Sequence, residues 1–152
     1  IQAAADTKGV AVGVDPTRSF DLKRQKREAI KALQEAQTTE RVLVLSPVYA
    51  GSLHGAVRKF VESNTELLKR RPLALGVTNL YRADAGAEEV IGVYPSALTA
   101  HAEERFLIGG RIRMGELPGP IRLIVRKVTG TNEDIDTLRH REIERIVSWL
   151  FA

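Results

Sequence analysis

The chain has 152 residues, a length that fits one domain with a substantial core, and its 43% hydrophobic and 28% charged residues are ordinary for a globular protein. It has no cysteine, which excludes disulfides, cysteine-ligated metals and thiol catalysis, and we expect a cytoplasmic protein. The net charge of +4 favours anionic partners, but with 5% aromatic residues and no basic cluster interleaved with them, we expect no nucleic-acid binding.

The amino-terminal part of the chain predicts a strand followed by a helix. Residues 10–14 alternate valine with alanine or glycine, a period of two that is typical of a half-exposed strand at the edge of a sheet. Strong helix formers then fill Lys23–Gln37, and Asp21 is placed to cap the first turn. The sequence therefore opens with an edge strand and a charged surface helix.

The next segment predicts a strand in the interior of a parallel sheet. Val42–Leu45 is apolar without alternation, as expected of a strand covered on both faces. Ser46 and Pro47 are expected to end it, because proline cannot donate to the next ladder hydrogen bond. A turn over residues 49–52 then leads into an amphipathic helix whose apolar stripe begins at Val57.

The remaining elements continue this alternation of strands and helices. Strands are predicted over Leu73–Val77 and Phe106–Gly109. A basic amphipathic helix over Gly119–Lys127 fits either packing onto the sheet or contact with an anionic membrane surface. The last helix, Thr137–Phe151, is expected to bury Ile143, Ile146, Val147 and Leu150. Alternating strands and helices predict a parallel sheet with right-handed crossovers, and we expect one domain over residues 1–152.

Three segments together carry a family resemblance. They are SPVYAGSLHGAVRKFVE from Ser46, RPLALGVTNLYR from Arg71, and RFLIGGRIRMGELPGPIRLIVRKVTGTNEDID from Arg105. In this order and spacing they resemble the flavodoxin-like family, in the branch that includes the quinone-dependent protoporphyrinogen dehydrogenase of haem biosynthesis. The resemblance implies a three-layer α/β/α sandwich with five parallel strands in the order 2-1-3-4-5. It also implies noncovalently bound FMN at the carboxyl ends of the strands.

The resemblance places the flavin in the loops that follow the second and third predicted strands. Tyr49 would stack on the ring, Gly51 would offer a backbone group to its N5 edge, and Asn79 and Tyr81 would cover its other side. Each of these residues also fits a purely structural role in a turn, and His54 fits a surface histidine equally well. The expected flavin contacts are Pro47, Val48, Tyr49, Ala50, Gly51, Ser52, His54, Thr78, Asn79, Leu80 and Tyr81.

Two arginines after the fourth predicted strand are candidates for binding a substrate carboxylate. Arg111 or Arg113 is able to form a bidentate pair with it, or else to neutralise the acidic segments at 103–104 and 134–136. We assign no metal site, because His101 and His140 have no further ligand at a suitable spacing. No side-chain catalytic residue is predicted either, so that the chemistry would belong to the cofactor.

Only four parallel strands are predicted, one fewer than the resembled fold has. One interpretation is that the sequence begins inside the first helix of the fold, so that the first strand and the phosphate loop precede Ile1. In the alternative, residues 10–14 are the central strand and residues 15–19 bind the phosphate. The lack of glycine in that loop and the edge-like alternation favour the first interpretation.

Three functions remain open on this basis. The first is an FMN-dependent oxidoreductase with an organic donor and a quinone or another carrier as acceptor, with protoporphyrinogen as the substrate that the branch suggests. Asp84, Glu88 and Glu89 stand where the haem-pathway member is markedly basic, which disfavours a substrate with two propionates. The second is an electron-transfer flavodoxin that serves a redox partner protein, although such carriers are usually acidic. The third is a flavodoxin-like interaction domain without catalysis.

Overall fold

The computed structural model describes residues 9–13, 22–35, 40–49, 51–78 and 91–152. The strands are β1 (Gly9–Gly13), β2 (Arg41–Tyr49), β3 (Ser52–Leu53), β4 (Leu73–Thr78), β5 (Glu104–Leu107), β6 (Arg111–Ile112) and β7 (Ile135–Asp136). The helices are α1 (Leu22–Glu35), α2 (Gly55–Ser63), α3 (Thr65–Leu68), α4 (Ser96–His101), α5 (Gly119–Thr129) and α6 (His140–Leu150), with a 3₁₀ turn over Met114–Glu116.

Four strands form the parallel sheet that the sequence predicts, in the order β1-β2-β4-β5. Val44 lies opposite Leu75, and Gly76 lies opposite Phe106. The middle strands are buried on both faces, because Val44 and Leu75 on one face and Leu43 and Ala74 on the other are at most 6% exposed. The continuous apolar runs therefore mark the interior strands, as expected.

Strand β1 lies at the edge of the sheet, as its alternation predicts. It pairs directly with β2, with Val10 opposite Val42 and Val12 opposite Val44. In the resembled order 2-1-3-4-5 a central strand would separate the second strand from the third, and among the described residues no strand does so. The direct ladder pairs the backbone groups that β2 would otherwise leave open. The alternative phosphate loop at 15–19 and the N-cap at Asp21 lie outside the described residues.

Helices cover both faces of the sheet, which confirms the three-layer α/β/α architecture. On one face α1 to α4 bury Leu33, Val57, Phe60, Leu68 and Leu98 against β2 and β4. On the other face α6 packs Ile146 onto a second cluster that also contains Leu43, Ala74, Phe106 and Ile108. The larger core lies under the first four helices, and α6 is the helix that covers the second face within the described part of the chain.

The expected end of β2 is wrong. The strand continues through Ser46 and Pro47 to Tyr49, and Pro47 lies opposite Thr78 at the last rung of the parallel ladder. Proline is tolerated there because the rung loses only a donor, while the Pro47 carbonyl still accepts from the backbone N–H of His54 at 3.2 Å. The buried Ser46 hydroxyl donates to the same carbonyl at 2.9 Å.

The two carboxyl-terminal helices differ from expectation in what they bury. In α6, Ile146 is buried and Leu150 is half-buried, but Ile143 is 39% and Val147 is 51% exposed, so their predicted burial is wrong. In α5 no residue is buried, and the more usual packing of such a helix onto the sheet is not what the structure shows. None of the described helices is long and apolar enough to cross a membrane.

Candidate functional site

The carboxyl ends of three parallel strands lie side by side. Pro47 in β2 is the register partner of Thr78 in β4. The backbone N–H of Ile108, just after β5, donates to the carbonyl of Val77 at 3.0 Å. The loops that follow β2, β4 and β5 therefore leave the sheet at one edge, where open α/β sheets bind their ligands.

The turn after β2 is a tight hairpin. Val48 and Tyr49 pair with Leu53 and Ser52 of the short antiparallel strand β3, which the sequence did not predict. Gly51 has a φ of +77°, a left-handed conformation that glycine adopts without steric cost. A Cβ atom at Gly51 would have no atom within 4 Å, so the backbone is open to solvent at this point. Of the predicted contacts in this turn, Ala50 and the side chain of Tyr49 lie outside the described residues.

His54 lies at the start of α2, as predicted, and its ring caps the helix. The backbone N–H of Ala56 donates to His54 Nδ1 at 3.3 Å. An Nδ1 that accepts a hydrogen bond carries no proton, so the neutral ring in this arrangement holds its proton on Nε2. The capping contact gives His54 a structural role, and its predicted contact with a flavin remains a prediction.

The loop after β4 lies outside the described residues from position 79 to position 90, and the strand itself ends at Thr78. Thr78 is half-buried at the last rung of the ladder beside Pro47. Asn79, Leu80 and Tyr81, which were expected to cover the other side of the flavin ring, lie outside the described residues. The structure therefore places the start of this loop at the same edge as the turn after β2, and its ring contacts remain predictions.

The loop after β5 is fixed by Thr137, a residue that the sequence analysis assigned to the last helix. The N–H of Gly110 donates to Thr137 Oγ1 at 3.1 Å, and the N–H of Thr137 donates to the Gly110 carbonyl at 2.8 Å. Gly109 has a φ of +76°, and a Cβ atom there would lie 1.8 Å from the Thr137 carbonyl oxygen. Gly109 therefore lies outside β5, and the backbone of Gly110 is used to hold the following segment.

Both arginines that are candidates for a substrate carboxylate already bind carboxylates of this chain. Arg111 contacts Asp136 Oδ2 through Nε at 2.8 Å and Nη2 at 2.6 Å, across the β6–β7 ladder. The hydrogen bond from Arg111 is the largest cause that lowers the pKa of the Asp136 carboxyl below its ordinary value. The hydrogen bond from the backbone N–H of Leu138 is the next. Arg113 pairs with Glu116 at 3.1 Å. Arg111 thus neutralises the 134–136 segment, and substrate binding by either arginine remains a prediction.

Tyr94 hydrogen-bonds to the backbone of two strands of the sheet, and the sequence did not indicate this role. Its hydroxyl donates to the Gly76 carbonyl at 2.7 Å and lies 3.3 Å from the Val44 carbonyl oxygen. Burial raises the pKa of the Tyr94 hydroxyl far above its ordinary value, so the phenol stays protonated. A tyrosine is the polar side chain long enough to bring a donor to two adjacent strands while filling the core with its ring.

A shallow open depression of about 650 Å³ lies against the amino end of β5, away from the predicted flavin site. Its walls include Glu104, Arg145 and Trp149. Arg145 stacks over the Phe106 ring at 5.2 Å and pairs with Glu104 at 2.7 Å. These contacts attach α6 to β5, and Arg145 is paired within the chain.

Comparison with known families gives one match. The profile of the flavodoxin domain family matches residues 19–137, which is most of the chain. Flavodoxin domains generally bind a flavin, typically FMN. Comparison with curated proteins and with solved structures returned no match. The family match does not distinguish the branch with protoporphyrinogen dehydrogenase from others.

Proposed function

This protein belongs to the flavodoxin domain family, and we propose that it is an FMN-dependent oxidoreductase that passes electrons from an organic donor to a quinone or another carrier. The observation that supports this proposal is the convergence of the β2, β4 and β5 ends at one edge, with an open glycine turn beside them. A flavin-binding electron-transfer role is what the family indicates.

The described residues fit the ring end of FMN. At Gly51 the backbone is bare, so that a flat ring edge can approach its amide and carbonyl groups without meeting a side chain. Ser52 is exposed next to it and offers a hydroxyl that donates or accepts. Bound FMN would supply the ability to accept and release two electrons. The chain's part is to hold the ring between two loops. Gly51 and Ser52 belong to the first loop, and Thr78 begins the second, to which Asn79 and Tyr81 belong.

We propose the general reaction rather than oxidation of protoporphyrinogen. A substrate with two propionates needs unengaged cations near the ring, whereas Arg111 and Arg113 are paired with Asp136 and Glu116. The same pairing favours a second candidate, an electron carrier that serves a redox partner protein without binding a small substrate. The net charge of +4 would then select an acidic partner.

The test is FMN titration of the full chain, followed by turnover with a quinone. We expect FMN fluorescence to be quenched on binding, and electron transfer to the quinone to depend on FMN. Binding without turnover would support the carrier. Failure to bind FMN would refute both redox candidates and leave an interaction domain.

A matched pair of glycine substitutions locates the ring. Gly51→Ala and Gly130→Ala both place alanine at a positive φ, +77° and +73°, with nothing within 4 Å of the added Cβ. Their costs to folding should therefore be similar. Only Gly51→Ala should weaken FMN binding, by about tenfold or more, which corresponds to about 1.4 kcal/mol. Equal FMN affinities for the two variants would show that the ring does not lie at this turn. Tyr49→Ala and Tyr81→Ala test the two stacking faces in the same titration.

A further inference from the structure

Helix α5 carries an apolar surface that the protein body does not cover. Ile121 is 48%, Ile124 is 63% and Val128 is 54% exposed, and Leu123 is 66% exposed. No residue of α5 is buried, and only Val125 and Thr129 are half-buried. Ile121, Ile124 and Val128 lie on one side of this three-turn helix and form an exposed apolar patch of the kind that marks an interaction site.

The charges of α5 are all of one sign, and two of the three border the apolar face. The helix contains three basic residues and no acidic one. At about 100° per residue, Ile124, Val128 and Ile121 share one side, with Arg122 at one border and Lys127 at the other. The long stems of arginine and lysine suit such borders, because they cover apolar surface while the charge stays in water.

Within the described part of the chain these charges form no ion pair, unlike several other exposed basic side chains. Elsewhere in the described part of the chain, ion pairs join Arg24 to Glu28, Lys31 to Glu35 and Lys69 to Glu66. Within the same residues, Arg126 and Lys127 form no ion pair with a carboxylate, and Arg122 donates only to backbone carbonyls, such as that of Leu117 at 2.9 Å. The basic side chains that border the apolar patch, Arg122 and Lys127, are therefore available to an anionic partner.

The position of α5 in the fold connects this patch with the candidate cofactor site. The segment leaves the sheet after β5 and returns through β7, and the β6–β7 ladder and the Gly110–Thr137 hydrogen bonds close its base. The N–H of Met114 adds a bond of 2.8 Å to Asp134 Oδ1 across the same base. The segment that contains α5 is therefore attached at the carboxyl edge of the parallel strands, which is also the edge that carries the Gly51 turn.

We propose that α5 docks the protein on an anionic lipid surface, with the helix axis parallel to the surface and the Ile121–Ile124–Val128 face among the acyl chains. A second copy of this chain is a poorer occupant, because apposed copies would bring two positively charged rims together. A lipid bilayer with anionic headgroups matches both the apolar face and its cationic border. The 11 residues of α5 are far short of the roughly 20 needed to span a bilayer, so the contact is peripheral.

The experiment is cosedimentation of the full chain with vesicles of phosphatidylcholine plus phosphatidylglycerol, and with vesicles of phosphatidylcholine alone. We expect binding to the anionic vesicles and little to the neutral ones. Arg122→Gln with Lys127→Gln should weaken binding by about fivefold per charge removed. The control, Arg24→Gln with Lys31→Gln, removes the same charge from two paired basic residues of α1 and should weaken it much less.

A second pair of double substitutions tests the apolar face, and the control residues have the same spacing along their helix. Ile124→Gln with Val128→Gln should abolish binding, whereas Ile143→Gln with Val147→Gln changes two exposed residues of α6 four positions apart and should leave it intact. Circular dichroism establishes that the variants remain folded.

The proposal is overturned if the chain binds neither vesicle, if both vesicles bind it equally, or if the α6 control loses as much vesicle binding as the α5 variant. It is also overturned if size exclusion without lipid shows a dimer that the Ile124/Val128 variant converts to a monomer. None of these outcomes depends on bound FMN, so they are distinct from failure of the redox assignment.

Discussion

Replacing Gly109 by alanine should detach the α5 segment from the end of β5. Alanine at a φ of +76° costs about 1–2 kcal/mol in backbone strain. Its Cβ would also lie 1.8 Å from the Thr137 carbonyl oxygen, a distance that only movement of the backbone relieves. That movement breaks hydrogen bonds such as those from Thr137 N–H to Gly110 and from Arg139 N–H to Ile108, each 2.8 Å long and each worth about 1 kcal/mol.

The expected cost of Gly109→Ala is therefore about 3–4 kcal/mol, a large fraction of the roughly 5–15 kcal/mol by which domains are stable. Urea unfolding should show the midpoint fall by about 1 M or more. Gly130→Ala is the control, because its φ is +73° and its added Cβ meets nothing within 4 Å. It should show the strain alone. If the two variants lose the same stability, the contact between Gly109 and Thr137 does not hold the segment and the reasoning is refuted.

The other predictions concern single contacts. Tyr94→Phe should cost about 1 kcal/mol in urea unfolding through loss of its bond to Gly76, and an unchanged midpoint would show that the bond contributes nothing. His54→Ala should destabilise by about 1 kcal/mol while His54→Asn restores most of it, since asparagine also caps; equal losses would contradict the cap. Arg111→Gln should raise the pKa of Asp136 in an NMR titration, because its guanidinium is the main cause of the lowered value. A carboxyl with a folded pKa below the unfolded 3.8 stabilises the fold above that pH, and this contribution disappears as the pH falls through the folded value.

The sequence predicted the central sheet because its signals are local. The continuous apolar run at Val42–Leu45 required cover on both faces, and the structure buries Val42 and Val44 on one face and Leu43 on the other. The alternation at residues 10–14 required a strand with one open side, and β1 is an edge strand. Parallel strands in sequence order then place the residues after β2, β4 and β5 at one edge, which is why the location of the candidate site was predictable from the sequence.

Details of the site depended on contacts between residues far apart in the chain. Gly109 was predicted to end a strand, and the sequence did not indicate that Gly110 would bind Thr137, 27 positions further along the chain. Arg111 was expected to bind either a substrate carboxylate or an acidic segment of the chain, and the β6–β7 register decides for Asp136. Tyr94 gave no periodic signal, because its role depends on where the Gly76 carbonyl lies in the folded sheet.

The amino-acid sequence by itself determined the four strands of the parallel sheet, the four longer helices and the apolar stripe of each helix, since those follow from side-chain order along one element. Only the tertiary structure decided which of those faces is covered. Ile146 of α6 meets the sheet while Val147 faces outward, and Ile124 and Val128 of α5 remain more than half exposed. An apolar stripe indicates that one face of a helix is suited to burial. The packing of the whole chain decides whether the sheet or a surface outside the protein covers that face.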